Sequence, residues 1–283
     1  MKAKLKDLRA HGEIVLKERG IEDFRTDTYY LLNKHFGVSR ADILLRGEED
    51  LPDEQVMAYW KDIQARGDRT PLQHLLGSWE FMGLSFMVSP DVLIPRAETE
   101  WLVDYIANRY AGKAPKVLDL CTGSGCIGIA VKKLLPEAAV TLVDVSELAL
   151  KMAKQNAENL DADVKIEQWD ILHGVPFFLQ KERFDVIVSN PPYIKTADLP
   201  TLQPEVQQEP ELALDGGTDG LLYYRALAAD WAALLKEEGV FLTETGEDTG
   251  EDVQKIFAEQ FESSTLHTDL SGLPRYVVAE QKK

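Results

Sequence analysis

The stretch KVLDLCTGSGCIGIA, residues 116–130, decides the fold class of this chain. An apolar run ends at a glycine-rich turn, and a second apolar run follows with the character of a helix start. Gly123 and Gly125 permit a tight turn and let a ligand approach the backbone closely. The first N–H groups of the helix, at the positive end of its dipole, are free to face that ligand. The stretch therefore predicts a strand–loop–helix unit with a ligand site at the loop.

The loop does not match the two common phosphate-binding patterns. No Gly-Lys-[Ser/Thr] follows it, so it is not a Walker loop, and it is not a full dinucleotide fingerprint. The carboxylate of Asp119 precedes the turn and would be badly placed beside a pyrophosphate. Asp119 could instead accept a hydrogen bond from an ammonium group, or it could hold the loop. This favours a ligand with a cationic amino-acid end over a dinucleotide.

Two further acidic residues follow the next predicted strands. Asp144 ends the strand after the loop, 19 residues beyond Gly125, where a carboxylate can accept both hydroxyls of a ribose. Asp170 follows the third strand, within QWDIL. It could cap the next helix or contact an adenine amino group, and the sequence leaves both readings open. The loop together with Asp144 predicts a nucleoside site.

Beyond residue 96 the chain alternates strands and helices. The strands have unbroken apolar character, which indicates an α/β fold with a doubly wound parallel sheet. Two closing strands without a helix between them predict a terminal antiparallel hairpin. The predicted strands are 116–121, 139–145, 164–168, 184–190, 239–245, 264–270 and 275–281. The predicted helices are 97–111, one from the loop to about 135, then 147–160, 219–237 and 249–261.

The first part of the chain has a different pattern. Residues 1–75 show helical spacing of apolar side chains and predict a small helical bundle, with one helix over about 53–66 after Pro52. Two short apolar and aromatic runs on either side of Met82-Gly83 predict a β-hairpin. We therefore expect a helical domain at 1–75, a hairpin linker at 76–95 and an α/β domain at 96–283.

Composition limits the function classes. The net charge is −17; residues 1–75 hold 13 basic and 14 acidic residues, and residues 76–283 hold 18 and 34. Such an acidic surface repels phosphate backbones, so nucleic acid is a disfavoured partner. No apolar run is long enough for a membrane span, and the charged N-terminus lacks a signal-peptide core. We expect a cytoplasmic protein with two reduced cysteines and no metal, because Cys121 and Cys126 fit no common zinc spacing.

The stretch DVIVSNPPYI, residues 185–194, ends a buried strand in a segment that cannot continue it. Ligands of open α/β sheets bind beyond the carboxyl ends of strands, where this segment falls. The two prolines fix the backbone as it leaves the sheet. The Asn190 side-chain oxygen and the Pro191 carbonyl can together accept both hydrogens of one planar NH2 group, and Tyr193 can stack on a flat substrate group. These residues predict a site that positions the nitrogen of an amide or an adenine amino group, because fixing both N–H bonds aims its delocalised lone pair at an electrophile.

These motifs resemble those of class I S-adenosylmethionine-dependent methyltransferases that act on amino groups. The stretches GSWEFMGLSFMVSPDVLIPRAETEWLV (77–103), FDVIVSNPPYI (184–194) and LDGGTDGLLYYRAL (214–227) narrow the resemblance to the peptide chain release factor N5-glutamine methyltransferases, the HemK/PrmC family. The resemblance covers most of the chain. It implies a seven-stranded methyltransferase sheet, and a helical N-terminal domain that recognises the protein substrate. It also implies methylation of the glutamine in the Gly-Gly-Gln motif of class 1 release factors, with S-adenosylhomocysteine as product.

The resemblance also implies roles for individual residues. Cys121, Thr122, Gly123, Ser124 and Gly125 would form the loop at the methionine end of the cofactor, with Asp119 before it and Asp144 on the ribose. Asp170, Ile171 and Asn190 would border the cofactor as well. Asn190, Pro191, Pro192 and Tyr193 would hold the glutamine amide, and Arg96 and Glu98 would border the substrate. The chain departs from the family at Cys121, where many members have glycine, at Ala97, where many have proline, and at Ile171, where some have an aromatic residue.

Two alternative functions remain at this point. A nucleic-acid adenine-N6 methyltransferase would share the loop and the Asn-Pro-Pro-Tyr segment, but the acidic charge and the lack of a basic, aromatic-interleaved segment argue against it. A non-catalytic cofactor-binding protein would have little reason to keep the strained strand exit. We expect a monomer that acts on a protein, with no nucleic-acid or membrane partner.

Overall fold

The computed structural model describes residues 3–269 and 271–283, and it divides into two compact units. The helical unit comprises the chain up to Ser78 together with Gln203–Gln208. The α/β unit comprises Trp79–Leu202 and Glu209–Lys283. No helix in the described ranges is both long enough and apolar enough to cross a membrane.

The helical unit is built from five helices whose apolar faces meet in one core. The helices are α1 (Leu5–Glu18), α2 (Phe24–Phe36), α3 (Arg40–Leu45), α4 (Asp53–Gly67) and α5 (Leu72–Leu76). Helix α4 begins at the predicted residue, after Pro52. Tyr59 is fully buried, and its hydroxyl donates to the Leu8 carbonyl oxygen at 3.0 Å, while Gly12 leaves room for the phenol ring. The prediction of a helical N-terminal region is confirmed.

A buried ion-pair network also holds this unit together. Arg66 donates from Nε to Asp27 at 2.6 Å and from Nη1 to Glu205 at 2.8 Å. Arg69 contributes a longer contact to Glu205, 3.3 Å. Burial raises the pKa of Asp27, and the hydrogen bond from Arg66 opposes that rise. Because Glu205 belongs to Gln203–Gln208, the network attaches this late segment of the chain to the helices.

The predicted hairpin is present between the last helix of the first unit and the sheet. Strands β1 (Ser78–Phe81) and β2 (Leu84–Met87) are joined by Met82 and Gly83, both with positive φ, as a two-residue hairpin turn of type I′ requires. The Met82 N–H donates to the Glu100 carboxylate at 2.6 Å. Phe81 and Phe86 are buried edge to face in the core beneath the sheet.

The α/β unit is a seven-stranded mixed sheet. Its elements are α6 (Glu100–Arg109), β3 (Lys116–Leu120), α7 (Cys126–Leu134), β4 (Ala139–Asp144), α8 (Glu147–Asn159), β5 (Lys165–Gln168), β6 (Phe184–Ser189), α9 (Leu222–Ala229), β7 (Leu235–Glu244), α10 (Gly250–Gln260), β8 (Phe261–Thr268) and β9 (Pro274–Lys282). The strand order is β5-β4-β3-β6-β7-β9-β8. Strands β3 to β7 pair in parallel, and β9 enters antiparallel between β7 and β8. The α/β fold and the closing antiparallel pair are confirmed; residue 270, at the end of the predicted strand 264–270, lies outside the described residues.

Both faces of the sheet are covered, which explains the unbroken apolar strands. Val186 and Val188 face one hydrophobic core, and Ile187 between them faces the other. Along β3, Val117 faces the first of these cores and Leu118 faces the second. Parallel strands that are buried on both sides lose the alternation of polar and apolar residues.

The predicted helix 219–237 is wrong at its C-terminal end. Helix α9 stops at Ala229, a short 3-10 turn covers Trp231–Leu234, and β7 begins at Leu235. Leu235 is buried and pairs with Phe184 of β6 across an irregular register. Charged helix formers follow Leu235 in the sequence, but burial of a leucine at the sheet outweighs their local preference.

Candidate active site

One cavity of about 900 Å³, including its open mouth, lies beyond the carboxyl ends of β3, β4 and β6. The glycine loop after β3 forms one wall, and Asp144 with its neighbours forms another. Asn190 and Pro192 after β6 line it as well. The topology thus brings together three segments that the sequence predicted as parts of a site.

The loop itself has the strained backbone that its glycines suggested. Gly123 and Gly125 have φ of 55° and 81°, and Cys121 shares this left-handed region with a φ of 58°. A side chain at Gly125 would collide with Ile129, which a Cβ atom would approach to 2.7 Å. A non-glycine residue with such a φ is uncommon and marks local strain. Glycine would adopt this conformation at position 121 without such strain.

Asp119 holds the loop from beneath. It is fully buried, and its Oδ2 accepts from the Thr122 hydroxyl at 2.6 Å and from the Gly128 N–H at 3.0 Å. Its Oδ1 has no hydrogen-bond partner in the described part of the chain. Burial raises the pKa of Asp119 to about 7, against the effect of both hydrogen bonds. Of the two sequence readings, loop support is present, and a bond to an ammonium group stays a prediction for the remaining oxygen.

Asp144 joins the loop to the end of β4. Its Oδ2 accepts from the Gly123 N–H at 2.8 Å, and its Oδ1 accepts from the Ser146 N–H at 2.9 Å. Burial raises its pKa, and these backbone donors oppose the rise. The carboxylate lines the cavity with lone pairs left over, so it can accept further hydrogen bonds from a ligand hydroxyl.

The segment after β5 supplies the apolar wall of the cavity. Asp170 Oδ1 accepts from the Leu172 N–H at 2.9 Å, so the capping reading is correct, and the residue lines the cavity too. Ile171 is buried beside it. The sequence analysis missed Trp169, whose indole lines the cavity and donates to the Gly174 carbonyl at 2.8 Å. An aromatic residue therefore stands at this wall although Ile171 is aliphatic.

Other residues at the site also escaped the sequence analysis. Tyr223 of α9 lines the cavity, and burial raises its pKa to about 12. Asn156 of α8 is buried and bridges the loop to the hairpin, donating to the Ser124 carbonyl at 2.9 Å and accepting from the Met87 N–H at 2.7 Å. Tyr223 lies in the stretch 214–227, which the sequence analysis quoted without assigning Tyr223 a role at the site, and Asn156 lies in none of the quoted stretches.

The Asn-Pro-Pro-Tyr segment leaves β6 along a narrow path. Asn190 and Pro192 line the cavity, and Pro191 is buried. Tyr193 is not part of the cavity wall; its ring packs into the second core, and burial raises its pKa. The stacking role of Tyr193 stays a prediction. Asn190 Nδ2 donates to the Thr99 hydroxyl oxygen at 3.3 Å.

The glycine-rich segment at 214–220 packs directly on this strand exit. Ile194 donates to the Leu214 carbonyl at 2.9 Å, and Gly216 donates back to Ile194 at 2.7 Å. A Cβ atom on Gly216 would lie 2.7 Å from the Tyr193 Cα, and one on Gly220 would lie 2.5 Å from the Tyr193 carbonyl oxygen. The glycines allow two backbones to touch and so fix the conformation of the exit.

Of the two remaining predicted residues, Arg96 and Glu98, only Arg96 lines the cavity. Arg96 lines it and forms an ion pair with the buried Glu209, which also accepts from the Ile94 N–H at 2.8 Å. Glu98 is exposed and does not line the cavity, and its role at the substrate stays a prediction.

Comparisons with known proteins show the family of this chain. Two family models match the chain: the PrmC N-terminal domain at residues 7–77 and the methyltransferase small domain at residues 97–214. The release factor glutamine methyltransferase of Geobacter sulfurreducens is 40% identical over 264 residues, which cover 93% of this chain and 91% of that protein. The corresponding protein of Moorella thermoacetica is 40% identical over 282 residues, covering 97% and 98%.

Solved structures support the fold alone. The catalytic domain of hMettl16, solved with an RNA hairpin, superimposes with a TM-score of 0.55 at 14% identity, covering 82% of this chain and 83% of that one. The 16S rRNA N2 G1207 methyltransferase RsmC of Thermus thermophilus, solved with AdoMet and guanosine, gives 0.51 at 17% identity, covering 72% and 49%.

Proposed function

This chain belongs to the release factor glutamine methyltransferase family, and we propose that it methylates the side-chain nitrogen N5 of the glutamine in the Gly-Gly-Gln motif of class 1 peptide chain release factors. The methyl donor is S-adenosylmethionine. One observation carries the proposal: Asn190, at the end of β6, lines the same cavity as the glycine loop and Asp144. An amide-holding residue and a nucleoside-holding carboxylate thus face one enclosed space.

The residues around the loop fit the proposed methyl donor. Asp144 keeps free lone pairs for ribose hydroxyls, and Trp169 and Ile171 offer an apolar wall for the adenine. Gly123 has open space where a side chain would stand, so a ligand can approach the loop closely. When bound, S-adenosylmethionine supplies an electrophilic methyl group on a sulfonium. Asp119 does not line the cavity, and its contribution is to support the loop from beneath.

The residues after β6 would hold the substrate amide. The Asn190 Oδ1 atom and the Pro191 carbonyl accept the two N–H bonds, which fixes the plane of the amide and the direction of the nitrogen lone pair. This positioning reduces the entropy of reaching the reactive geometry. The same acceptors stabilise the positive charge that develops on nitrogen. No strong base is needed, because the methylated amide can lose its extra proton to water.

The helical unit is the part of the chain that we assign to recognition of the release factor. It exposes Leu44 and Leu45 of α3 and Met57 of α4, with 77%, 84% and 67% of each residue accessible. Leu44 and Leu45 are adjacent in sequence, and we assign these exposed apolar side chains to the contact with the release factor. We expect Leu45→Ser to raise KM for the release factor and to leave the S-adenosylmethionine affinity unchanged.

The test is mass spectrometry of a purified, unmethylated class 1 release factor after incubation with this protein and S-adenosylmethionine. We expect a gain of one methyl mass on the Gly-Gly-Gln peptide, and no gain on a release factor whose glutamine is replaced. The Asn190→Ala variant should lose turnover far more than cofactor affinity. A protein that binds S-adenosylmethionine but leaves the release factor unmodified would refute the substrate assignment. Equal loss of turnover and affinity in Asn190→Ala would refute the role of that residue.

A further inference from the structure

Asn190 is not isolated at the end of β6; two buried side chains stand behind it. Thr99, in the 3-10 turn before α6, lines the cavity and is 2% exposed. Glu244 is the last residue of β7, one position beyond the pairing of Ser189 with Thr243, and is 5% exposed. Thr99 lies within the quoted stretch 77–103, but the sequence analysis assigned no role to Thr99 or Glu244, and the mechanism above does not use them.

The three side chains form a chain of hydrogen bonds with one direction. The Thr99 hydroxyl donates to Glu244 Oε2 at 2.6 Å, and Asn190 Nδ2 donates to the Thr99 oxygen at 3.3 Å. The Asn190 side chain also lowers the pKa of Glu244 through a hydrogen bond. An ionised carboxylate can only accept, so the single hydroxyl proton of Thr99 points to Glu244. The Thr99 oxygen is then left as an acceptor, and only the NH2 end of Asn190 can satisfy it.

We propose that Thr99 and Glu244 are positioning residues that hold the Asn190 amide with its nitrogen towards Thr99 and its oxygen towards the substrate. This inference rests on the proposed function. An asparagine amide has two orientations that differ by exchange of oxygen and nitrogen, and only one presents an acceptor to the substrate N–H. Without the acceptor-only carboxylate of Glu244, the Thr99 hydroxyl can rotate and donate to Asn190. Both orientations of the Asn190 amide then become available.

The surroundings keep Glu244 ionised at alkaline pH in spite of its burial. Burial and the nearby Glu98 raise the pKa of Glu244 to about 7, against the bonds from Thr99 and Asn190 and the charge of Arg96, which all lower it. Measurements at pH 8 therefore observe mainly the acceptor-only carboxylate.

Two isosteric substitutions remove the fixed donor-to-acceptor direction of the hydrogen bonds that run from Asn190 through Thr99 to Glu244. Thr99→Val removes the hydroxyl, and Glu244→Gln replaces an acceptor-only group by one that both donates and accepts. At pH 8 we expect each to lower kcat for release factor methylation by about 10- to 100-fold, the size of losing one hydrogen bond to a charged group. The Kd for S-adenosylmethionine should change by less than about threefold. Thr99→Ser keeps the hydroxyl and should recover most of the activity lost in Thr99→Val.

A double-mutant cycle with Asn190→Ala separates positioning from general structure. If Thr99 acts through Asn190, adding Thr99→Val to Asn190→Ala lowers kcat no further. The matched control is Thr28→Val, because Thr28 is fully buried in α2 and its hydroxyl has no partner among the described residues. That variant should keep wild-type kcat.

The outcomes separate the two proposals. An inactive wild-type protein would overturn the proposed function, and this inference with it. If the wild-type protein is active, any of three results for Thr99→Val would overturn this inference alone. These are an unchanged kcat, a loss of kcat that adds in full to the loss caused by Asn190→Ala, and a fall in kcat that parallels a fall in S-adenosylmethionine affinity. Should Thr99→Val fail to fold, Glu244→Gln in the same cycle carries the test.

Discussion

The fully buried Asp119 gives the sharpest stability prediction, through the substitution Asp119→Asn. The ordinary pKa of an aspartate is 3.8, and burial raises the pKa of Asp119 to about 7. For an acid whose pKa is higher in the folded state, the unfolded chain releases its proton first as pH rises. The free energy of unfolding therefore falls between about pH 4 and pH 7 and stays lowered above that. The gap between the two pKa values corresponds to about 4 kcal/mol.

Asparagine removes this titration and keeps the shape of the side chain. Its oxygen can accept from the Thr122 hydroxyl and the Gly128 N–H, as Asp119 Oδ2 does. Its NH2 group replaces Oδ1, which has no partner in the described chain, and an unpaired buried donor costs about 1–3 kcal/mol. Combining the two effects, Asp119→Asn should stabilise the protein by roughly 1–3 kcal/mol at pH 8. At pH 5 the two effects nearly cancel, and the variant should be no more stable than the wild type.

The assay is urea unfolding of the wild type and the variant at pH 5 and pH 8, followed by tryptophan emission. The difference in unfolding free energy between the two proteins should change by about 2–3 kcal/mol from one pH to the other. Asp163→Asn is the control, because Asp163 is an exposed carboxylate on the same unit. A destabilisation by Asp119→Asn of equal size at both pH values would refute the reasoning, since it would mean that burial does not shift the protonation of this carboxyl.

Three further substitutions test separate parts of the structure. Gly128→Ala places a Cβ atom 2.2 Å from a leucine methyl of β4 and should lower stability by about 1–3 kcal/mol, measured as a lower melting temperature. Arg66→Met leaves the buried Asp27 without its partner and leaves Glu205 only the longer contact with Arg69. A loss of about 3–5 kcal/mol is expected in the helical unit, measured by hydrogen exchange of its helices, and unchanged protection would contradict it. Asp144→Ala removes the acceptor proposed for the ribose and should weaken S-adenosylmethionine binding at least tenfold by calorimetry, with an unchanged Kd as the contrary result.

The sheet could be predicted from the sequence because each buried strand shows its unbroken apolar pattern within its own few residues. The run around Ile187 is apolar without alternation, which only a strand buried on both faces requires. The glycine loop was also predictable, because Gly123 and Gly125 adopt the positive φ that other residues avoid. Helix α9 was predicted too long because the residues after Leu235 favour a helix locally, and the pairing of Leu235 with β6 is a long-range effect that no local pattern records.

The candidate site was predicted in part for the same reason. Asp144 and Asn190 end strands, and the parallel topology fixes where strand ends meet. Trp169 reaches the cavity from a turn, and Tyr223 reaches it from a helix that the chain forms much later. Thr99 precedes α6 and meets Asn190 only in the folded protein. Contacts of this kind depend on how segments dock, and a single sequence does not contain that information.

Asp119 and Glu244 show the same arrangement at opposite parts of the proposed site. Each is a buried carboxyl with a pKa raised to about 7, and each accepts from a threonine hydroxyl at 2.6 Å. One pair supports the loop proposed for the methyl donor, and the other supports the asparagine proposed for the amide. Ionising either carboxyl destabilises the folded chain at neutral pH, so stability alone would favour uncharged side chains at both places. Local features that lower stability are expected where function requires them. Their position behind the two halves of the cavity therefore argues that both carboxyls are retained for the geometry they impose on the site.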